Sequence, residues 1–274
     1  MDYKRILTIQ DISCVGQCSL TVALPILSAC GLETAILPSA VLSTHTAGFK
    51  GFTFRDLADD MPAIKNHWVQ ENIKFKAIYT GYLGSAKQVD YVLDIVKDTL
   101  DGTFFVDPAM ADNGKLYPGF DSDYVKAMVK LCINADYVIP NITEACFLTG
   151  VEYKDVYDKA YIDLLIKSMQ DIGCKNIILT GVSYAEGKTG VVVVENGEYS
   201  YYEHEKLPNS CHGTGDIYAS ALVGAYMHGN SAYNSAKIAA DYTVECIKAT
   251  ASEKDHWYGA KFEPVLGKLI ELLK

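Results

Sequence analysis

The residues with the strongest claim to chemistry are Pro208-Asn209-Ser210-Cys211-His212-Gly213-Thr214-Gly215-Asp216, which run into the apolar segment 217–225. A glycine-flanked turn that opens a buried helix offers free backbone N–H groups and the positive end of the helix dipole, the makings of a phosphoryl site. Here the turn ends in a carboxylate, which repels phosphate unless it has a task. Taking the proton of an attacking hydroxyl during phosphoryl transfer to an alcohol is such a task. A plainer reading has Thr214 or Asp216 capping the helix through its side-chain oxygen. The turn taken alone supports both.

Two further segments supply hard oxygen donors. Asp107-Pro108-Ala109-Met110 ends a hydrophobic strand with a carboxylate, and Asn141-Ile142-Thr143-Glu144 follows another strand with an amide and a carboxylate. Donors of this kind near a phosphate suit Mg²⁺, which keeps several of its waters. The second segment reads equally well as a capping box, Asn141 capping the helix and Glu144 reaching back.

Short β-rich runs at 5–10, 34–37, 77–80, 103–107, 137–140 and 176–180 alternate with segments of helical period at 85–100, 122–134 and 156–172. This alternation predicts a parallel sheet covered by helices. Residues 191–195, Asn196-Gly197 and 199–203 predict an antiparallel hairpin, because Asn-Gly suits a two-residue turn at positive φ. Further helices are expected from Asp216 to about His228, at 232–250 and at 263–273. Gln10-Asp11, Thr80-Gly81, Asp107-Pro108, Pro140-Asn141 and Thr180-Gly181 each follow a predicted strand. Five polar strand ends therefore face the one crevice where open parallel sheets gather ligands.

The chain has 274 residues, 49% of them hydrophobic. It can bury a full core and fits one domain, 1–274, with no repeat or long linker. A net charge of −10 argues against an extended nucleic-acid or anionic-membrane surface and toward small-molecule partners. The apolar stretch 22–42 is broken by Pro25, Gly31, Glu33 and Pro38, so no membrane span is expected. Eight scattered cysteines without metal or redox spacing read as reduced, mostly buried thiols, and the N-terminal segment lacks a secretory apolar run. The expected location is the cytoplasm.

In order and spacing, Ser43-Thr44-His45-Thr46, Gly81-Tyr82-Leu83-Gly84-Ser85, Asp107-Pro108-Ala109-Met110, Pro140-Asn141-Ile142-Thr143-Glu144 and His212-Gly213-Thr214-Gly215-Asp216 resemble the pyridoxal (vitamin B6) kinase family of the ribokinase-like superfamily. The resemblance covers essentially the whole chain. It implies an α/β three-layer sandwich with a mostly parallel central sheet, and an ATP-dependent kinase acting on the 5′-hydroxymethyl group of a B6 vitamer. Gly213, Thr214 and Gly215 would then cradle the γ-phosphate, and Asp216 would act as general base. Asp107 and Glu144 would organise Mg²⁺, while Asn141 and Thr180 would lie along the ATP phosphates. Ser43, His45, Thr46 and Tyr82 would line the acceptor pocket. The resemblance also implies a homodimer, with a monovalent cation such as K⁺ as a further cofactor candidate.

Read without the resemblance, His45 is a structural hydrogen-bonder, Tyr82 is core and Ser85 is a helix cap, with Gly81 and Gly84 allowing a tight strand-to-helix turn. Two places depart from the family pattern. Asp11-Ile12 stands where many members have Ser-His, and a partly buried Asp11 would favour a cationic vitamer such as pyridoxamine. Ala47-Gly48-Phe49 replaces the usual tyrosine after the His-Thr pair, with Phe49 supplying a ring one position later. The nearest rival is a hydroxymethylpyrimidine (phosphate) kinase, whose family usually carries cysteine where this chain has Asp216. A non-catalytic vitamer- or nucleotide-binding protein is a third reading.

Overall fold

The computed structural model describes residues 4–208, 211–251, 253 and 255–274. Asn209 and Ser210 of the glycine-turn motif lie outside the described residues.

Nine strands form one twisted sheet: β1 (Arg5–Ser13), β2 (Glu33–Leu42), β3 (Phe54–Asp56), β4 (Phe75–Thr80), β5 (Leu100–Val106), β8 (Tyr137–Val138), β9 (Asn176–Val182), β10 (Lys188–Glu195) and β11 (Glu198–Glu205). A separate two-strand ribbon, β6 (Ala111–Asp112) and β7 (Lys115–Leu116), follows β5. The sheet order is β11-β10-β9-β8-β5-β4-β1-β2-β3. The six central strands run parallel, and β10-β11 form the expected hairpin around Asn196-Gly197, Asn196 at φ 52°. The opposite edge is antiparallel as well, because the short β3 turns back along residues 40–42 of β2.

The sheet is buried on both faces, which is why its strands read as continuous apolar runs. Successive residues divide between the faces: Leu7, Ile9, Phe104, Ile177 and Leu179 face one layer, and Ile6, Phe105 and Ile178 face the other. The first layer holds α2 (Met61–Gln70), α3 (Ala86–Thr99), α4 (Ser122–Asn134), α5 (Ile142–Thr149) and α6 (Lys159–Asp171). The second holds α1 (Leu20–Ala29), α7 (Thr214–Met227), α8 (Ala232–Thr250) and α9 (Leu266–Leu272). This is the α/β three-layer architecture of the ribokinase-like fold.

α7 is apolar on nearly every side because it is covered by the sheet, α1 and α8 together. Its N-terminus is thereby held at the carboxyl ends of the strands. None of the described helices is long and apolar enough to cross a membrane, and all eight cysteines are free thiols.

Candidate active site

α7 starts from Gly213, whose φ of 76° lies in the left-handed region. A Cβ there would fall 1.8 Å from the Gln17 carbonyl oxygen, so conformation and space both demand glycine. The capping reading of the motif fails. Thr214 Oγ1 donates to the Cys211 carbonyl at 3.2 Å, and no side chain among the described residues accepts from the first-turn amides. The turn therefore offers its N–H groups outward.

Asp216 lies half-buried on that first turn. Burial pushes its carboxyl up to about 7; the Ser19 backbone N–H pulls it down and the Asp11 charge raises it further. Ser19 sits at φ 56°, unusual for a residue with a side chain, immediately ahead of α1. Such local strain persists where surrounding structure imposes it, here with an amide turned to the carboxylate.

Asp107 and Glu144 join this field of negative charge. Asp107, following β5, accepts the Ala109 N–H at 3.1 Å through Oδ1. Burial, then the charges of Glu144 and Asp216, hold it well above the usual carboxylate range. Glu144 is buried, and its carboxyl is pushed up to about 7 by burial against the opposing pull of backbone N–H groups. Its Oε1 accepts from Met110 N–H at 3.1 Å and its Oε2 from Asn141 N–H at 2.9 Å.

The capping box is thus real: Asn141 Oδ1 accepts the Glu144 N–H at 2.9 Å. Asn141 Nδ2 donates to the Ala111 carbonyl, so the amide expected along the phosphates is committed to structure at both ends. Asn141→Ala should accordingly lower unfolding free energy by about 1–2 kcal/mol, read from urea denaturation. A loss below a few tenths would show the box to be energetically idle. Thr180 Oγ1 donates to the Pro140 carbonyl at 3.3 Å, beside the bridge that joins Thr180 to Asn141.

Among the described residues, no group of three or more His, Cys, Asp or Glu side chains is arranged to hold a metal. The crowding of Asp107, Glu144 and Asp216 nevertheless fits a divalent cation that keeps most of its waters. Asp107 Oδ2 has no protein donor among the described residues and is the group able to meet such a cation. Glu144, with both oxygens occupied, contributes charge.

The residues expected to line an acceptor pocket include Asp11, which lies at the register shift between β1 and β2. It is buried, accepts from Ser13 Oγ at 2.9 Å, and is raised by burial against the opposing pull of the nearby Ser19 and Ser13 side chains. Tyr82 is near enough for Asp11 to push its hydroxyl up toward 12, after burial as the larger cause, and its ring packs 5.4 Å from Phe120.

His45 is buried with both ring nitrogens engaged: Nδ1 accepts the Ala47 N–H, and Nε2 donates to the Tyr258 carbonyl at 2.8 Å. Both nitrogens are thus engaged by backbone groups, as a structural hydrogen-bonder requires. Phe49 packs T-shaped on His45 at 5.0 Å and tilted against Trp257 at 4.7 Å. Ser43 Oγ accepts the Thr53 N–H and pins the loop, while Thr46 is exposed beside His45.

Ser85 caps α3 as expected. Gly81 packs against Gln10, whose side chain would have to shift for a Cβ 2.6 Å from Oε1; Gly84 has neither positive φ nor a close neighbour, so the turn does not require it. Sequence reasoning missed Gln17, Ser19, Trp257 and Tyr258. Backbone atoms of Gln17, Ser19 and Tyr258 serve the site, and side-chain type gives no signal of that.

Comparison with known proteins shows the family and the fold. The family described as phosphomethylpyrimidine kinase matches residues 26–261. A crystal structure from Bacteroides thetaiotaomicron, provisionally named a phosphomethylpyrimidine kinase and obtained with pyridoxal, is 36% identical. It superposes with a TM-score of 0.92 over 98% of this chain and 96% of its own. Pyridoxal kinase from Lactobacillus plantarum is 30% identical, with a TM-score of 0.91 over 99% and 98% of the two chains. A pyridoxal kinase of Dictyostelium discoideum is 28% identical over 80% of this chain and 77% of its own length. Other curated relatives are named hydroxymethylpyrimidine/phosphomethylpyrimidine kinases. With its helix-borne Asp216, open glycine turn and buried carboxylates, the chain belongs to the phosphomethylpyrimidine kinase family, within the B6 kinase group of the ribokinase-like superfamily.

Proposed function

We propose that the chain transfers the γ-phosphate of ATP to the 5′-hydroxymethyl group of pyridoxal, pyridoxine or pyridoxamine. The observation that carries this reading is the uncapped first turn of α7, where open amides stand beside a carboxylate pushed up to about 7. A base whose pKa lies near the operating pH is both sufficiently ionised and sufficiently basic.

The acceptor oxygen attacks the γ-phosphorus in line while the bond to the ADP oxygen breaks. The hydroxyl proton passes to Asp216, and ADP leaves with the bonding electrons. Amides of Gly213, Thr214 and Gly215 meet the charge on the transferring group, where fixed donors serve a loose transition state best. Mg²⁺, when bound, supplies charge neutralisation of the phosphates; Asp107 would hold it, with Glu144 adding negative charge behind. Asn141 and Glu144 keep the start of α5 fixed. Asp11, Tyr82 and the His45-Phe49 rings bound the space left for the acceptor.

The vitamer assignment is supported by the relative crystallised with pyridoxal and by the pyridoxal kinase at 30% identity. A hydroxymethylpyrimidine acceptor is the second reading, supported by the family's description and the curated relatives of that name. ADP release with Mg-ATP against the three vitamers and hydroxymethylpyrimidine, with product mass, tests both. Turnover confined to the pyrimidine would overturn the vitamer assignment, and no turnover on any acceptor would leave a binding protein.

Asp11 should set preference within the vitamers. A buried carboxylate raised by burial gains from a protonated amine, a charge-assisted contact. Asp11→Ser is expected to reduce the kcat/KM ratio of pyridoxamine over pyridoxal about tenfold, from roughly 1.5 kcal/mol for a hydrogen bond to a charged group. A ratio near one in the wild type, unchanged in the variant, would exclude this role.

A further inference from the structure

Three fully buried side-chain oxygens gather between the sheet and α7 without a hydrogen-bond partner among the described residues: Gln10 Oε1, Tyr79 OH and Ser220 Oγ. Their convergence follows from the fold. Thr8 on β1 is the register partner of Tyr79 on β4, and Gln10, two residues on, shares their face of the sheet. Ser220 follows Asp216 by four residues on α7, hence on the same side of the helix and one turn deeper.

Gln10 Nε2 donates to Thr8 Oγ1 at 2.9 Å, which leaves Oε1 as a bare acceptor. The Tyr79 hydroxyl lies beside both Gln10 and Ser220, within the field of Asp107 and Asp216, yet none of these pairs reaches hydrogen-bond geometry. A buried polar oxygen left without a partner is destabilising. A buried water makes about three hydrogen bonds, and here three oxygens present themselves. It would donate to Gln10 Oε1 and one hydroxyl and accept from the other.

We propose that Gln10, Tyr79 and Ser220 bind an internal water that locks the start of α7 to the sheet, and so holds the Asp216 carboxylate in line with the acceptor hydroxyl. The site of the water stands on the packing alone; its effect on catalysis rests on the kinase reading. Tyr79 and Ser220 are positioning residues, since neither touches the reacting atoms.

A high-resolution crystal structure of the wild type, combined with kinetics of Tyr79→Phe and Ser220→Ala, tests both halves. The expected density is one water within hydrogen-bond distance of all three oxygens. The expected kinetics are a kcat about tenfold lower in either variant, as small misplacement of a reacting group produces, with KM for ATP and acceptor within twofold. Because both changes disrupt one water, the double variant should lose little more than either single one. Ser220→Ala removes one atom and keeps the kinetic test available if Tyr79→Phe folds poorly. Direct bonding of the three oxygens with no water would overturn the site. An unchanged kcat, or KM rising in step, would overturn the positioning role. A wild type inactive on every acceptor would refute the kinase reading and the positioning role with it, while the density still decides the water.

Discussion

Asp216→Asn is expected to lower turnover about 10²–10⁴-fold while vitamer and ATP binding persist, the usual scale for loss of a positioned general base. The amide keeps the shape of the side chain and its place on α7, so a loss confined to kcat isolates proton transfer. The wild-type pH profile should carry the same signature. With the carboxyl pushed up to about 7, turnover should fall roughly tenfold per pH unit well below that value, and the variant should lack this limb. Unchanged turnover in Asp216→Asn would end the general-base assignment outright.

The same residue should cost stability. Its folded pKa is above the unfolded value of 3.8, so between about pH 4 and 7 the native state binds more protons than the unfolded state. Stability from this group therefore falls as pH rises through that window. Asp216→Asn should accordingly be more stable than the wild type at pH 8, and the difference should shrink toward pH 4. A thermal-melt series in both proteins checks the sign. A gap independent of pH would mean that the carboxylate is not strained in the fold.

Much of this site was legible because its chemistry resides in side chains at strand ends. The Gly-Thr-Gly-Asp turn, Asp107 and the capping box of Asn141 and Glu144 each carry a local signature that survives folding. α1 was not legible. Its sequence is almost wholly apolar and contains Pro25, so no helical periodicity marks it; Gly31, left-handed at φ 79°, signals only its end, and burial against the sheet and α7 makes it a helix. Pro38 similarly disguised β2. Its missing N–H is harmless because β3 pairs only with residues 40–42, which leaves Pro38 without a neighbour on that side. The acceptor-side contacts were harder still. The Tyr258 carbonyl that fixes His45 lies 213 residues away in sequence, and only tertiary packing brings it there.

The two glycines of the turn look equivalent in sequence, but their substitutions should diverge sharply. Gly213→Ala places a Cβ 1.8 Å from the Gln17 carbonyl at a φ of 76°, so the backbone itself must move. The left-handed conformation alone costs about 1–2 kcal/mol for an L-residue. Displacement of Gln17 would then travel through its side-chain bonds to Glu263 and His256, next to the Tyr258 that anchors His45. We expect a loss of at least about 10²-fold in kcat/KM, with both substrates affected and a lowered melting temperature. Gly215 has ordinary φ and open space around its missing Cβ. Gly215→Ala should keep or slightly raise stability, since alanine is the better helix former, while a methyl group in the space kept for phosphate raises KM for ATP. A stable Gly215→Ala enzyme with weakened ATP use, beside a destabilised Gly213→Ala enzyme weakened toward both substrates, would separate the residue that shapes the turn from the one that keeps it open. Equal effects of the two changes would contradict that division of labour.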